Sequence, residues 1–359
     1  MKKIGVLVVD DSAFMRKLIT DFLSQHPEIV VVGTARNGEE AVKKLKDLNP
    51  DVMTLDVEMP GLTGLEVLKI VMAEQPVPVI MLSSTTNQGA ENTLQAIQYG
   101  AVDFIAKPSG SISMDLYKIK EELTAKVISA SKANMKRIGL TVNKKVSPLK
   151  PEVKPVKKEL SPAHESLGLN SKKLICIGTS TGGPRALQEV LTKLPGNLPV
   201  PVLVVQHMPA GFTKSLASRL DSLSSIHVKE AEDGEILQKG TAYIAPGGFH
   251  MLVKPMGTAT TVMLETSEPR NGHRPSVDVL FESVSQFNHF SCIAVVMTGM
   301  GSDGAKGLEK LKSSGRAKAI AESEQTSVVF GMPKAAIATG KVDEIKEVQQ
   351  IAEAIMAYI

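Results

Sequence analysis

Tryptophan is absent from this chain of 359 residues, and Phe, Trp and Tyr together make up only 4% of it. A surface that stacks nucleic-acid bases needs such rings, so a base-binding platform is disfavoured. The formal net charge is only +3, too small for a global field that would draw in nucleic acid. There are two cysteines, Cys176 and Cys292, both inside apolar runs. They read as two buried structural thiols in preference to a redox or metal role. No apolar stretch reaches the roughly 18 residues that a membrane span requires. Met1-Lys2-Lys3 followed by Ile4 to Val9 has the outline of a signal peptide. Asp10 and Asp11 end that run too early, so it reads as a buried strand and the expected location is cytoplasmic. Neither H-E-x-x-H nor a Cys/His cluster occurs, which argues against metal-assisted hydrolysis.

What is present is a soluble composition, 43% hydrophobic and 22% charged, over a length that suits about two domains. Residues 4–130 alternate short β-branched runs with amphipathic helical patterns. Strands are expected at Ile4–Asp10, Ile29–Ala35, Asp51–Asp56, Val79–Ser84 and Asp103–Lys107, with helices at Ala13–Ser24, Glu39–Leu48, Gly64–Glu74 and Ala90–Tyr99. Such alternation implies a parallel sheet covered on both faces. Residues 130–170 break the pattern, with nine Lys or Arg against three Glu and with Pro148, Pro151, Pro155 and Pro162. They read as an extended basic linker that serves solubility and reach. A second alternation begins at Lys173, with strands at Leu174–Gly178, Val200–Gln206, Ile293–Thr298 and Ala317–Ala321. Its helices are expected at Ala186–Leu194, Lys214–Leu220, Val277–Phe287 and Ala305–Ser313. Between them, Ile226–Leu264 reads as a β-rich insertion or an antiparallel edge.

In a doubly wound sheet the carboxyl ends of the strands converge on one site. Asp10 and Asp11 end the first strand and Asp56 the third, so three carboxylates meet and call for a cation. All-oxygen ligands with room for water suit Mg²⁺. Ser83 ends the fourth strand, and Lys107, followed by Pro108, ends the fifth. A metal site, a hydroxyl donor and a fixed positive charge around one carboxylate fit phosphoryl transfer onto Asp56. Residues 1–125 resemble the response-regulator receiver family through Val8-Val9-Asp10-Asp11, Leu55-Asp56-Val57-Glu58-Met59-Pro60-Gly61, Ser83 and Lys107-Pro108. The resemblance implies that Asp56 is the phosphoacceptor and, with Asp10 and Asp11, a Mg²⁺ ligand. Ser83 and Lys107 would read the phosphoryl group, and Phe104 falls at the position of a switch aromatic.

Gly178-Thr179-Ser180-Thr181-Gly182-Gly183-Pro184 joins an apolar strand to a helix and contains G-x-S-x-G. In that context the motif raises a serine on a sharp turn, with helix-opening N–H groups available as an oxyanion hole. By itself the turn is also compatible with a nucleotide phosphate or with simple turn chemistry. The next strands favour the hydrolase: Val200–Gln206 runs into His207, and Ile293–Thr298 runs into Gly299-Met300-Gly301-Ser302-Asp303-Gly304. A nucleophile needs a base, and the base needs a carboxylate to fix its tautomer. His273 is a competing base, His250 a residue expected to line the site, and Asp303 has the alternative role of capping the helix near Ala305.

Residues 173–357 resemble the catalytic domain of the chemotaxis protein-glutamate methylesterases (CheB-type). The matching motifs are Gly178 to Pro184, Gln206-His207-Met208-Pro209 with Gly211-Phe212-Thr213, Ala245-Pro246-Gly247 with His250, Gly272 to Asp278, and Thr298 to Gly304. The resemblance implies Ser180 as nucleophile, His207 as base and Asp303 as its orienter, with Thr181 and Met300 lining the active site. Thr179 is larger than the neighbour that pattern leads us to expect, and it bears on substrate placement. The implied architecture is α/β, with two doubly wound parallel-sheet domains. These are a flavodoxin-like receiver (1–125) and a Rossmann-like hydrolase domain with a β-rich insertion (173–359), joined by the linker 126–172. The implied function is phosphorylation-activated hydrolysis of glutamate γ-methyl esters on chemoreceptors, releasing methanol, together with deamidation of receptor glutamines through a covalent acyl-enzyme. Methylated chemoreceptors are then the substrate and a chemotaxis histidine kinase the phosphodonor. Mg²⁺ is expected in the receiver and no cofactor in the catalytic domain. A monomer is expected, with an intramolecular receiver–catalytic contact and with neither nucleic-acid binding nor membrane insertion. The rival reading, a receiver with a DNA-binding effector, would need a basic recognition helix after the linker, and residues 173–359 offer none.

Overall fold

The computed structural model describes residues 2–107, 113–133, 135 and 172–359. Pro108 and most of the linker expected at 126–172 lie outside these residues. The first sheet has strands β1 (Ile4–Val9), β2 (Ile29–Ala35), β3 (Val52–Asp56), β4 (Val79–Ser83) and β5 (Asp103–Ala106) in the order β2-β1-β3-β4-β5. Its pairings are parallel throughout. β3 and β4 are buried along their whole length, as strands of a sheet covered on both faces should be. The covering helices are α1 (Ala13–Ser24), α2 (Gly38–Leu48), α3 (Gly64–Glu74), α4 (Asn87–Tyr99) and α5 (Ser113–Ala130). Ser12, Asn37, Thr63 and Thr86 each accept an N–H of the helix that follows, so the local sequence marks where those helices start.

The second unit has a seven-stranded sheet in the order β14-β13-β12-β6-β7-β9-β8. Its strands are β6 (Lys172–Thr179), β7 (Val202–Gln206), β8 (His227–Glu230), β9 (Thr241–Ile244), β12 (Phe290–Val296), β13 (Ala317–Glu322) and β14 (Glu344–Lys346). All the pairings are parallel. Helices α6 (Gly183–Leu191), α7 (Phe212–Asp221), α8 (Val277–Ser285), α9 (Ala305–Ser313), α10 (Met332–Ala338) and α11 (Val348–Met356) complete it. The segment expected to be a β-rich insertion divides in two. β8 and β9 join the main sheet as its parallel edge, while β10 (His250–Met256) and β11 (Ala259–Glu265) form a separate antiparallel ribbon. The expectation missed this because four-residue strands carry too few apolar positions to reveal their direction of pairing. β6 leads outward to β7 on one side while β12 pairs on its other side. The topological switch point therefore lies between the ends of β6 and β12, where an open α/β sheet places its ligand crevice.

Both cysteines are buried and free. The Cys292 thiol beside it, together with burial, holds Cys176 well above the usual thiol range. Among the described residues no helix is long and apolar enough to cross a membrane.

Candidate active site

At the end of β6 the chain turns through Ser180 into α6. Gly182, with φ +78°, is the N-cap of α6 and carries no side-chain cap; in the first turn Gly183 N donates to Ser180 O (2.8 Å) and Pro184 has no N–H to offer. Gln206, the last residue of β7, ties the turn together. Its Nε2 donates to Ser180 O (2.9 Å) and His207 O (3.1 Å), and its Oε1 accepts the Thr179 hydroxyl (2.7 Å). Thr179 is thus turned into the sheet, fully buried, and does not shape the crevice. From the other side, Ser180 N donates to Thr298 O (3.0 Å), and Gly299 lies so close that a Cβ there would sit 2.8 Å from Ser180 Cβ. The ends of β6, β7 and β12 are therefore locked to one another at the serine.

His207 and Asp303 meet directly. His207 Nε2 lies 2.8 Å from Asp303 Oδ2, while His207 Nδ1 is buried with no hydrogen-bond partner. The Ser180 hydroxyl makes no hydrogen bond to His207 in this state. Asp303 is buried, and beyond the imidazole it accepts from Val277 N (2.7 Å), Asp278 N (3.1 Å), Ser276 Oγ (2.8 Å) and Asn271 Nδ2 (3.4 Å). Burial pushes its carboxyl up, but the His207 contact and these donors outweigh that and hold it well below the ordinary carboxylate range. The capping alternative does not describe Asp303. The helix after it has Gly304 as N-cap with no side-chain hydrogen bond, and the Asp303 carboxylate faces the N-terminus of α8 instead.

His273, the rival base, stacks on His207 with ring centroids 3.9 Å apart and planes 12° apart. Burial, reinforced by the neighbouring His207, lowers its pKa to about 4, so it is neutral at ordinary pH. His250 is fully buried and its Nε2 lies 3.2 Å from Glu268 O, so it belongs to the core rather than the lining. Met300 is half-buried beside the serine turn, where its Cα backs Gly331. The nucleotide reading of the turn meets a carboxylate. The Thr181 hydroxyl donates to Asp103 Oδ2, placing an acid where a phosphate would need donors.

Asp103 belongs to β5 of the first unit, so the two units touch at this site. Phe104 stacks on Phe212, centroids 4.6 Å apart. Arg219 Nη2 donates to Gln98 Oε1 (3.2 Å), and Arg185 Nη2 to Ile97 O. On the receiver side, Lys126 pairs with Asp103 (3.3 Å) and Glu122 (2.8 Å) and donates to Phe104 O (2.6 Å).

At the acidic site Asp10, Asp11 and Asp56 each offer a carboxylate oxygen within 4.8 Å of the others. Lys107 Nζ bridges Asp10 (2.9 Å) and Asp56 (2.7 Å). Asp56 is nonetheless pushed up to about 6, first by burial, with Asp10 adding to it against Lys107, so the site holds more negative charge than one ammonium offsets. An oxygen-only donor set with surplus charge fits a hard divalent cation such as Mg²⁺. Ser83 is fully buried and its hydroxyl donates to Gly89 O (3.0 Å).

Gln206, Asn271, Ser276, Asp278 and Asp103 were not singled out as site residues from sequence. Gln206, Ser276 and Asp278 lie inside motifs already quoted, and Asn271 directly precedes one. Asp103 has no local signal, because its partner is on another domain.

Fold and site together define a receiver-type domain joined to an α/β domain of serine-hydrolase type. The family described as the response regulator receiver domain matches residues 6–116, and the family described as CheB methylesterase matches residues 175–355. A Geobacillus kaustophilus protein named protein-glutamate methylesterase/protein-glutamine glutaminase is 58% identical over 100% of this chain and 99% of its own length. A Bacillus subtilis protein of the same name is 51% identical over 99% of this chain and 98% of its own. The crystal structure of the Thermotoga maritima CheB methylesterase catalytic domain is 46% identical, covering 53% of this chain and 100% of that one, with a TM-score of 0.51. The chain belongs to the CheB methylesterase family, with a response-regulator receiver domain in front.

Proposed function

We propose that this chain is a protein-glutamate methylesterase and protein-glutamine glutaminase whose receiver domain controls access to the catalytic site. Ser180 attacks the side-chain carbonyl of a methylated receptor glutamate, and His207 takes the hydroxyl proton on Nδ1, the ring nitrogen that Asp303 leaves free. The tetrahedral oxyanion lies at the uncapped start of α6, where the positive end of the helix dipole offsets its charge. Collapse expels methanol, protonated by His207, and leaves an acyl-enzyme on Ser180. Water deprotonated by His207 then attacks the same carbonyl, and collapse releases the glutamate carboxylate and Ser180. With a glutamine the leaving group is ammonia and the remaining steps are unchanged. The observation that carries this reading is the 2.8 Å contact between His207 and an Asp303 held ionised by five donors, at the strand end next to Ser180.

Asp10, Asp11 and Asp56 would hold Mg²⁺, which would supply charge neutralisation for phosphoryl transfer from a chemotaxis histidine kinase to Asp56. Ser83 must turn from Gly89 O to meet a phosphoryl oxygen, while Lys107 already lies beside Asp56. The chain works as a cytoplasmic monomer divided as receiver 1–125, linker 126–172 and catalytic domain 173–359. In the resting state Asp103 occupies the Thr181 hydroxyl next to the nucleophile, and Phe104 and α4 pack on α6 and α7. Phosphorylation of Asp56 rearranges the β4–β5 edge and releases this contact. The test is methanol release from methylated receptor, with and without a small-molecule phosphodonor. The rate should rise with the donor, and a donor-insensitive rate would refute the gating.

A further inference from the structure

Asp303 and Asp278 bind the N-termini of each other's helices. The carboxylate of Asp303, which lies just before α9, accepts the N–H groups of Val277 and Asp278 in the first turn of α8. The carboxylate of Asp278, in that same turn, accepts Gly304 N (3.0 Å) and Gly307 N (2.7 Å) at the start of α9. The Asn271 amide donates to both acids, at 3.1 Å to Asp278 and 3.4 Å to Asp303. The two helices are pressed together at this point, since a Cβ on Gly307 would lie 2.8 Å from Asp278 Cα. Gly304 itself has φ +92° and no side-chain cap, so Asp278 supplies the acceptor that α9 lacks locally.

We infer that Asp278 is a positioning residue for the catalytic acid. By fixing the turn at Gly304 it sets where the Asp303 carboxylate stands, and through that carboxylate the orientation of the His207 ring. The inference rests on the reading of Asp303 as orienter of His207. Asp278 is fully buried and has no route to substrate. Burial, with Asp303 nearby, raises its pKa while Asp303 is held low, so the pair divides into one firmly ionised acid and one structural acceptor.

The experiment is a double-mutant cycle on the full-length protein with phosphodonor, reading kcat and KM for methanol release alongside the thermal midpoint. Asp303→Ala should lower kcat by about 10⁴-fold. Asp278→Ala should lower kcat about 10- to 100-fold with KM unchanged, a misplacement effect. The double variant should be no slower than Asp303→Ala alone, because Asp278 acts only through Asp303. Asp278→Asn keeps an oxygen for Gly304 and Gly307 and should return kcat to within about fivefold of the parent. It also keeps the test open if the alanine variant does not fold. A wild-type kcat in Asp278→Ala, a further loss in the double variant, or a loss in Asp278→Asn as large as that of Asp303→Ala would overturn the inference. A wild-type kcat in Asp303→Ala would overturn the His207–Asp303 reading itself.

Discussion

The hydroxyl of Thr181, one residue past Ser180, is hydrogen-bonded to the carboxylate of Asp103, one residue before Phe104 in the receiver. A single bond therefore joins the approach to Ser180 to the strand that carries Phe104. Asp103 is itself held by Lys126. Burial works against that ammonium, but the Asp103 and Glu122 carboxylates outweigh it and hold it well above the usual lysine range. The Lys126 ammonium therefore stays charged across the working pH range beside this contact.

Removing this contact should loosen the resting state. A hydrogen bond to a charged group contributes about 1.5–3 kcal/mol, so Asp103→Ala should raise the rate without phosphodonor by about tenfold or more. The fragment 172–359, assayed the same way, should be at least as active as that variant. An unchanged basal rate in both proteins would count against coverage by the receiver.

Asp56→Asn should abolish stimulation by a small-molecule phosphodonor and leave the basal rate as it was. Chelating divalent cations should have the same effect on the parent protein, because the proposed mechanism gives Mg²⁺ a role only in the receiver. Loss of basal activity on chelation would place a metal in the catalytic reaction and contradict the mechanism.

Ser180→Ala should lower turnover by roughly 10⁶-fold, following the size of the effect in an unrelated serine protease. His207→Ala should fall to a similar level. His273→Ala should keep far more activity, since its ring makes no bond to Asp303 and only supports the face of His207. The reverse ranking of the two histidines would exchange their roles.

His273 also makes a pH prediction. Its pKa is about 4 in the folded protein against an ordinary 6.5, so between these values the unfolded chain binds the extra proton. Its contribution is complete above pH 6.5 and is lost as the pH falls towards 4, on the order of 1–3 kcal/mol. His273→Gln should flatten that part of the stability curve, measured by denaturant unfolding at several pH values. Identical pH dependence in parent and variant would show that His273 does not titrate in this way.

The two sheets were legible because β4, β7 and β12 are nearly continuous apolar runs that alternate with stretches of helical periodicity. Ser180 and His207 could be named since each directly follows a strand, and Asp303 since it lies in the glycine-rich loop after β12. β8 and β9 were read as part of a β-rich insertion or an antiparallel edge and form a parallel edge instead, and β14 was not seen, because strands of three or four residues have almost no periodicity. Asp278 stood in a quoted motif, but its role depends on which helix end its carboxylate reaches. That is a tertiary fact without local trace, and the same holds for Asp103 and Thr181, 78 residues apart.

The most direct test is methanol release from methylated receptor by the full-length protein and by Ser180→Ala, each with and without phosphodonor. The account predicts a donor-stimulated rate in the parent and no release above background in the variant under either condition. Substantial release from folded Ser180→Ala would contradict the assignment of Ser180 as the nucleophile, and with it the catalytic role given to His207 and Asp303.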